Sequence, residues 1–260
     1  MLASIARIRL RQTSPHQLHR SFSSSPVSNY VKLAYDLHKP AKDTDEASTR
    51  NAPVIFIHGL FGSKKNNRSM TIPPILLRKP RIATLLTHVQ DLRNHGDSAH
   101  DSRHDYTALA EDVEGFIDEH GLEKPTLIGH SMGAKTAMTV ALRSPHKIAN
   151  LVSIDNAPVD AALKSDFAKY VQGMKRVEEA GVKRQSEADE ILKEYEESLP
   201  IRQFLLTNLV RTPANTHRFR IPLRHLAAAL PAMADFPFRD PDAARFEGPA
   251  LFVRGTKSHY

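Results

Sequence analysis

The sequence contains no cysteine, and this absence removes several kinds of chemistry at once. A chain without cysteine has no disulfide framework, no thiolate zinc site and no cysteine nucleophile. It also lacks any run of about eighteen apolar residues, the length that a membrane-spanning helix requires. Any covalent catalysis must therefore rely on serine, aspartate or histidine.

The sequence has little excess charge outside its N-terminal segment. The formal charge is +7, but four of the 36 basic residues and no acidic residue lie within residues 1–22, which leaves 32 basic against 29 acidic residues, or +3. Such a small excess gives little support for nucleic-acid binding. With 260 residues, 40% of them hydrophobic, the chain fits one globular α/β domain with an insertion.

Residues 1–22 have the composition of a mitochondrial presequence. They are rich in arginine, contain no Asp or Glu, and lead into the serine-rich residues 21–25. Arg20 stands three residues before Ser23, as in sites of the mitochondrial processing peptidase. We expect a mature N-terminus near Ser23 and a location in the mitochondrial matrix; a disordered basic tail is the alternative.

Strand-like and helix-like segments alternate along the first part of the chain. Residues 31–38 alternate between apolar and polar, as in an edge strand. Apolar runs suited to buried parallel strands follow at 53–58, 85–89, 126–128, 151–154 and 249–255. Residues 106–120 have helical spacing and stop at Gly121. This alternation predicts an α/β fold with a parallel sheet.

The pattern changes to helices only between residues 159 and 246. Predicted helices lie at 161–180, at 186–209 with an interruption at Pro200, and at 223–233. We interpret them as a helical insertion over the sheet, called the cap below. The predicted organisation is a presequence (1–22), a first core segment (30–158), the cap (159–246) and a second core segment (247–260).

Residues 129–133, Gly-His-Ser-Met-Gly, follow an apolar run and precede a helical pattern. In a G-x-S-x-G turn between strand and helix, the serine backbone is strained, its Oγ is exposed, and both glycines leave room for close packing. A serine between two glycines in an ordinary loop is the alternative. The strand and helix around the motif favour a nucleophile elbow with Ser131 as the nucleophile.

Four motifs together resemble the α/β-hydrolase superfamily, in the mitochondrial branch that includes human α/β-hydrolase domain protein eleven and the yeast ethanol acetyltransferases. They are residues 58–63 (HGLFGS), 91–98 (DLRNHGDS), 129–135 (GHSMGAK) and 203–209 (QFLLTNL). Small bacterial esterases share them. The resemblance covers roughly residues 30–260 and implies an α/β-hydrolase fold with a helical cap, and serine chemistry without metal or cofactor.

The resemblance also implies roles for particular residues. Acyl transfer needs backbone N–H donors for the developing oxyanion. These would be Met132, after the nucleophile, and Leu60 in the loop after the first buried strand, with Phe61 as the alternative to Leu60. The residues expected to support this arrangement are His58, Gly59, Gly129, His130 and Gly133. Asp91 and Arg93 are expected to fix the neighbouring loop.

The acid of the catalytic triad is expected at Asp155, after the strand that follows the elbow helix. Many α/β-hydrolases place this acid after the strand that ends here at Gly255, but no carboxylate follows that strand. The resembling bacterial esterases use the position of Asp155, with a serine at the position of Ser258 holding the histidine. A turn aspartate is the alternative reading of Asp155. Weaker candidates for the acid are Asp160, Asp235 and Asp240.

The base has no candidate in this sequence. The resemblance places it in a Gly-His segment that follows one more strand. The histidines after Ser131 are His146, His217, His225 and His259. His146 lies at the far end of the elbow helix, roughly 20 Å from the serine at 1.5 Å per residue. We therefore expect the last strand and helix of the family fold to be missing here, and the triad histidine to lie beyond Tyr260.

A second departure from the family lies between residues 70 and 90, where three prolines interrupt an expected helix. A mis-spliced or mispredicted gene product would explain both departures.

The function expected from these residues is that of a mitochondrial serine hydrolase, which cleaves short or medium acyl esters or thioesters through an acyl-serine intermediate. Alcohol acyl transfer by the same mechanism is one alternative. A catalytically dead α/β-hydrolase-fold binding protein is the other, because the triad histidine is absent from the sequence. Chemistry on this fold that requires an aspartate nucleophile is disfavoured by Ser131.

Overall fold

The computed structural model describes residues 30–38, 52–67, 86–160 and 166–256. Its strands are β1 (Tyr35–His38), β2 (Val54–Ile57), β3 (Thr87–Gln90), β4 (Thr126–His130), β5 (Asn150–Ile154), β6 (Leu209–Arg211), β7 (His217–Phe219) and β8 (Ala250–Val253). Its α-helices are α1 (Tyr106–Glu119), α2 (Met132–Arg143), α3 (Asp166–Glu179), α4 (Gln185–Leu192), α5 (Leu199–Leu206) and α6 (Leu223–Ala234).

Six strands form one mostly parallel sheet in the order β1-β3-β2-β4-β5-β8. Only β1 runs antiparallel to its neighbour, β3. Every residue of β2 is buried, as expected for a strand covered on both faces, whereas β1 is partly exposed along its length. The predicted α/β fold with a mostly parallel sheet is therefore confirmed, with β1 at the edge.

Two helices of the core fix the position of the elbow. Helix α1 begins after Asp105, whose side chain accepts a hydrogen bond from the Ala108 N–H, and the chain leaves the helix at Gly121 with a φ of +57°. Helix α2 packs against α1, β4 and β5. The carboxyl ends of β2, β4 and β5 consequently meet next to the first turn of α2.

The segment between β5 and β8 is helical, but the prediction of helices only is wrong. Strands β6 and β7 form a short antiparallel hairpin, in which Asn215 has a φ of 63° and Thr212 N–H bonds to the Thr216 carbonyl at 2.8 Å. Pro200 also does not interrupt a helix. It lies in the first turn of α5, where its missing N–H costs nothing, and the break precedes it at residues 193–198.

Several predictions fall on residues that the structure does not describe. The presequence, residues 70–85 of the departure from the family, Ser258 and His259 lie outside the described residues. The domain bounds also stay predictions. No helix in the described ranges is long and apolar enough to cross a membrane.

Candidate active site

Ser131 occupies a strained turn between β4 and α2. Its backbone has φ 53° and ψ −117°, a conformation that non-glycine residues rarely adopt. The turn is fixed from two sides, because the Ser131 N–H donates to the Ile154 carbonyl at 2.9 Å and the Ser131 carbonyl accepts from Asn156 Nδ2 at 3.2 Å. This is the geometry that the elbow motif predicts for an exposed nucleophile.

The two glycines of the motif are required by close backbone contacts. A Cβ at Gly129 would lie 2.2 Å from the Gly133 carbonyl oxygen, and a Cβ at Gly133 would lie 2.3 Å from the Ile57 carbonyl oxygen. Both opposing atoms belong to the main chain and have little freedom to move. Neither glycine has an unusual φ, so both are needed for space.

The loop after β2 supplies one wall of the site. Its residue Phe61 has a φ of 61°, and the Phe61 N–H donates to His95 Nε2 at 3.0 Å. Phe61 is therefore not available as an oxyanion donor. The Leu60 N–H, by contrast, has no hydrogen-bond partner among the described residues, and the Met132 N–H is at the first position of α2, where an amide has no partner within the helix.

The buried imidazoles of His58 and His95 join the loop after β2, which contains Leu60, to the loop after β3. His58 donates from Nδ1 to the Gly59 carbonyl and accepts the Leu92 N–H at Nε2, at 2.8 and 3.0 Å. His95 bonds through Nδ1 to the Arg93 carbonyl at 2.9 Å while Nε2 accepts from Phe61. Burial lowers the pKa of His58 and holds the pKa of His95 well below its usual value, so both rings are neutral acceptors.

Carboxylates fix the loop after β3, the role expected for this motif. Asp91 accepts from the backbone N–H and the Nζ of Lys64 and from the Asp97 N–H, at 2.6, 2.9 and 2.9 Å. Arg93 makes a bidentate, fully buried pair with Asp112 at 2.5 and 2.6 Å. These contacts hold the loop that contains His95, and His95 in turn accepts the hydrogen bond from the Phe61 N–H.

Asp155 follows β5 and lies beside the elbow, with a φ of 60°. Its N–H donates to the Val253 carbonyl at 2.7 Å, and its Oδ1 accepts from the Gly255 N–H at 3.2 Å. The carboxylate is thus placed between the ends of β5 and β8, where an acid of this fold is expected, and its role as the triad acid stays a prediction.

The weaker acid candidates have local partners in the cap. Asp160 accepts from the Phe236 N–H at 2.7 Å, Asp235 accepts from the same N–H at 2.8 Å, and Asp240 accepts from the Asp242 N–H at 2.9 Å.

No described histidine forms a hydrogen bond with Ser131. His58 has both ring nitrogens engaged by backbone groups, and His146 lies beyond the far end of α2. His130 lines the cavity beside Ser131. Burial lowers the pKa of His130, and the negative charge of Asp155 acts in the opposite direction. His217 and His225 belong to β7 and α6 of the cap. A base for the serine is therefore not assigned within the described residues.

A cavity of about 330 Å³ opens in front of Ser131. The elbow and the loop after β2 form one side of the cavity, and side chains of the cap, mostly apolar, form the other. The cap residues in its lining are Phe167, Tyr170, Ile201, Phe204 and Leu205. An apolar chain attached to a carbonyl carbon fits this division, since the chain would contact the cap while the carbonyl lies at Ser131. Among the described residues, no three potential ligand side chains converge to hold a metal ion.

Sequence reasoning gave no role to two residues that contact the loop after β2. His95 and Asn208 both lie within motifs that were recognised, but each reaches Phe61 through a contact between distant parts of the chain. The signal available for Asn208 was a lone amide within residues 204–210, a segment in which Thr207 is the other polar residue.

Comparison with known proteins identifies the family. Residues 52–260 match the model of the α/β-hydrolase fold. The chain is 40% identical to a probable alcohol acetyltransferase of Saccharomyces cerevisiae, over 88% of this chain and 71% of that protein. It is 38% identical to the sn-1-specific diacylglycerol lipase ABHD11 of Xenopus laevis, over 90% of this chain and 71% of that protein.

A solved structure agrees with this assignment. The fold superimposes on a marine microorganism esterase with a TM-score of 0.74 and 27% identity, covering 87% of this chain and 81% of the esterase. The chain therefore belongs to the α/β-hydrolase fold family.

Proposed function

We propose that this protein is a serine hydrolase that cleaves carboxylic esters or thioesters through an acyl-serine intermediate. The observation that carries the proposal is the strained turn at Ser131, which lines a largely apolar cavity together with the loop that contains Leu60. The esterase and lipase relatives support the same class of reaction.

In this proposal Ser131 Oγ attacks the acyl carbonyl carbon, and the oxyanion accepts hydrogen bonds from the Leu60 and Met132 N–H groups. The serine proton passes to an imidazole base and from there to the leaving alcohol or thiol, and water then releases the acid. We place this base outside the described residues. Asp155 orients and stabilises the imidazolium.

Hydrolysis of p-nitrophenyl esters with acyl chains of two to twelve carbons tests the proposal. We expect the highest kcat/KM for short or medium chains, because the cavity has a volume of about 330 Å³ and cap residues such as Phe204 line its apolar part. The Ser131→Ala variant should lose essentially all activity. Activity that survives this substitution would show that Ser131 is not the nucleophile.

Alcohol acyl transfer is the second candidate, favoured by the yeast relative named as a probable alcohol acetyltransferase. The two reactions share the acyl-serine and differ only in whether alcohol or water attacks it. Incubation with an acetyl ester or thioester and increasing ethanol separates them. Ethyl acetate that rises with ethanol while acetate falls would indicate acyl transfer, whereas constant acetate release would indicate hydrolysis.

We also propose a mitochondrial location, on the composition of residues 1–22. Import of the 260-residue chain into isolated mitochondria, followed by N-terminal sequencing, tests this proposal. A protease-protected form that begins near Ser23 supports both the location and the cleavage site. A chain that stays accessible to added protease contradicts the location, and an intact Met1 on imported protein contradicts the cleavage site.

A further inference from the structure

The backbone of Phe61 is held from both sides by side chains that come from different parts of the chain. On one side its N–H donates to His95 Nε2 at 3.0 Å, as described above. On the other side its carbonyl accepts a hydrogen bond from Asn208 Nδ2 at 2.8 Å. Asn208 lies between α5 and β6 in the cap, 147 residues away, and it is 1% exposed.

Phe61 needs such support because of its backbone conformation. A φ of 61° is unfavourable for a bulky side chain, and residues of this kind persist only where their surroundings hold them. The Phe61–Gly62 peptide carries both the carbonyl that Asn208 holds and the Gly62 N–H, which donates to the Gly59 carbonyl at 2.9 Å. That Gly59 carbonyl belongs to the same peptide as the Leu60 N–H, so rotation at Phe61 would disturb the direction of the Leu60 N–H. The hydrogen bond from Asn208 therefore acts on the geometry of the proposed oxyanion hole.

Asn208 is itself fixed within the cap. Its carbonyl accepts the Arg220 N–H at 2.9 Å, and its N–H donates to the Leu205 carbonyl at 3.1 Å. Leu205 and Phe204 line the cavity in front of Ser131. The wall that would contact an acyl chain and the amide that holds Phe61 consequently belong to one short segment at the end of α5.

We infer that Asn208 is a positioning residue through which the cap holds the oxyanion loop, residues 58–62, in its reactive conformation. Asn208 does not touch the reacting atoms; it acts through Phe61 on the donor at Leu60. This inference rests on the proposed function for its chemical meaning, but the contact itself can be tested without any reaction.

Hydrogen–deuterium exchange of the 260-residue chain, measured by mass spectrometry on peptides that cover residues 57–63, tests the contact. Asn208→Leu keeps the branched shape of the side chain and removes the donor. Loss of a net hydrogen bond of ordinary strength should raise exchange at the Phe61 amide about tenfold. Unchanged exchange in this peptide would overturn the inference.

Arg220→Gln is the matched control. It removes a partly exposed link between cap and core, from Arg220 Nη1 to Asp97 at 2.9 Å, and leaves the Arg220 N–H on the Asn208 carbonyl. We expect faster exchange only near β7, and no change in residues 57–63. If Arg220→Gln accelerates the loop as much as Asn208→Leu does, the effect is general loosening of the cap and the specific role of Asn208 is rejected.

The effect on the proposed oxyanion hole is read from the phosphonylation of Ser131 by a fluorophosphonate. Removing an oxyanion donor outright costs about 10²–10³ in rate, so misorienting one should lower the inactivation rate constant about 10- to 100-fold and leave the half-saturating concentration within about twofold. Faster exchange with an unchanged rate constant would overturn the positioning role. The rate is measured in a chain extended past Tyr260 by a family segment that supplies the base, since the 260-residue chain is expected to react weakly or not at all. If the extended chain also never reacts, the proposed function fails, and the exchange result alone decides whether Asn208 holds the loop.

Discussion

Substitution of Gly129 by alanine should be strongly destabilising, because the start of α2 lies directly against β4. The new Cβ would be 2.2 Å from the Gly133 oxygen, 2.4 Å from the Gly133 carbonyl carbon and 2.6 Å from the Ala134 Cα. To restore ordinary contact, the opposing backbone would have to move by about 1 Å. That movement is restricted, since Gly133 also lies against the Ile57 carbonyl.

Overpacking of a core typically costs about 1–3 kcal/mol and occasionally more. All three obstructing atoms belong to the backbone, so we expect Gly129→Ala to lower the free energy of unfolding by about 3 kcal/mol or more. Urea denaturation followed by circular dichroism measures this difference. The displaced turn should also reduce the reaction of Ser131 with a fluorophosphonate at urea concentrations where the variant is still folded.

Gly121→Ala is the control, because the two glycines are needed for different reasons. Gly121 has a φ of +57° and nothing within 4 Å of the position of a Cβ, so alanine there incurs only backbone strain. The left-handed conformation costs an alanine about 1–2 kcal/mol. If Gly129→Ala costs no more than Gly121→Ala, the close contact between strand and helix does not constrain the elbow, and the reasoning is refuted.

Two further predictions concern buried ionisable side chains near the site. Asp112→Leu should lower the free energy of unfolding by about 3–5 kcal/mol, because it leaves the Arg93 guanidinium buried without its partner. The double variant with Arg93→Met should recover part of this loss. Equal unfolding free energies of the single and the double variant would contradict this prediction. The second concerns His104, whose pKa burial lowers to about 4, and His95, whose pKa also lies well below its usual value. Since the unfolded chain protonates these rings near pH 6.5 and the folded chain does not, stability should fall as the pH falls from 6.5 towards 4. The contribution of His104 is at most about 3 kcal/mol, and His104→Gln should reduce the slope between pH 7 and 5. A slope that is the same in both proteins would show that His104 is not held neutral.

The sheet and the elbow could be predicted because their sequence signals are local. The four buried residues of β2 form one apolar run, and the glycines around Ser131 show directly where strand meets helix. The hairpin formed by β6 and β7 was missed because its strands, Leu-Val-Arg and His-Arg-Phe, have three residues each. A period of two cannot be recognised over so short a length.

The contacts that complete the site could not be predicted from sequence patterns. The hydrogen bond between Phe61 and His95 joins two loops that meet only because β2 and β3 are neighbours in the sheet. The contact of Asn208 with Phe61 further depends on how the cap lies over the core. Both His95 and Asn208 lie within recognised motifs. A motif identifies residues of interest, but only the folded structure shows which residues they contact.

The measurement that tests the central claim most directly is the mass of the protein after reaction with a fluorophosphonate. We expect one adduct, mapped to Ser131 and absent from Ser131→Ala. We expect it to form weakly or not at all in the 260-residue chain, and strongly in a chain extended past Tyr260 by a family segment that carries the Gly-His motif. Equal labelling of the two chains would contradict the placement of the base, and an extended, folded chain that forms no adduct at Ser131 would contradict the claim that this elbow carries a serine nucleophile.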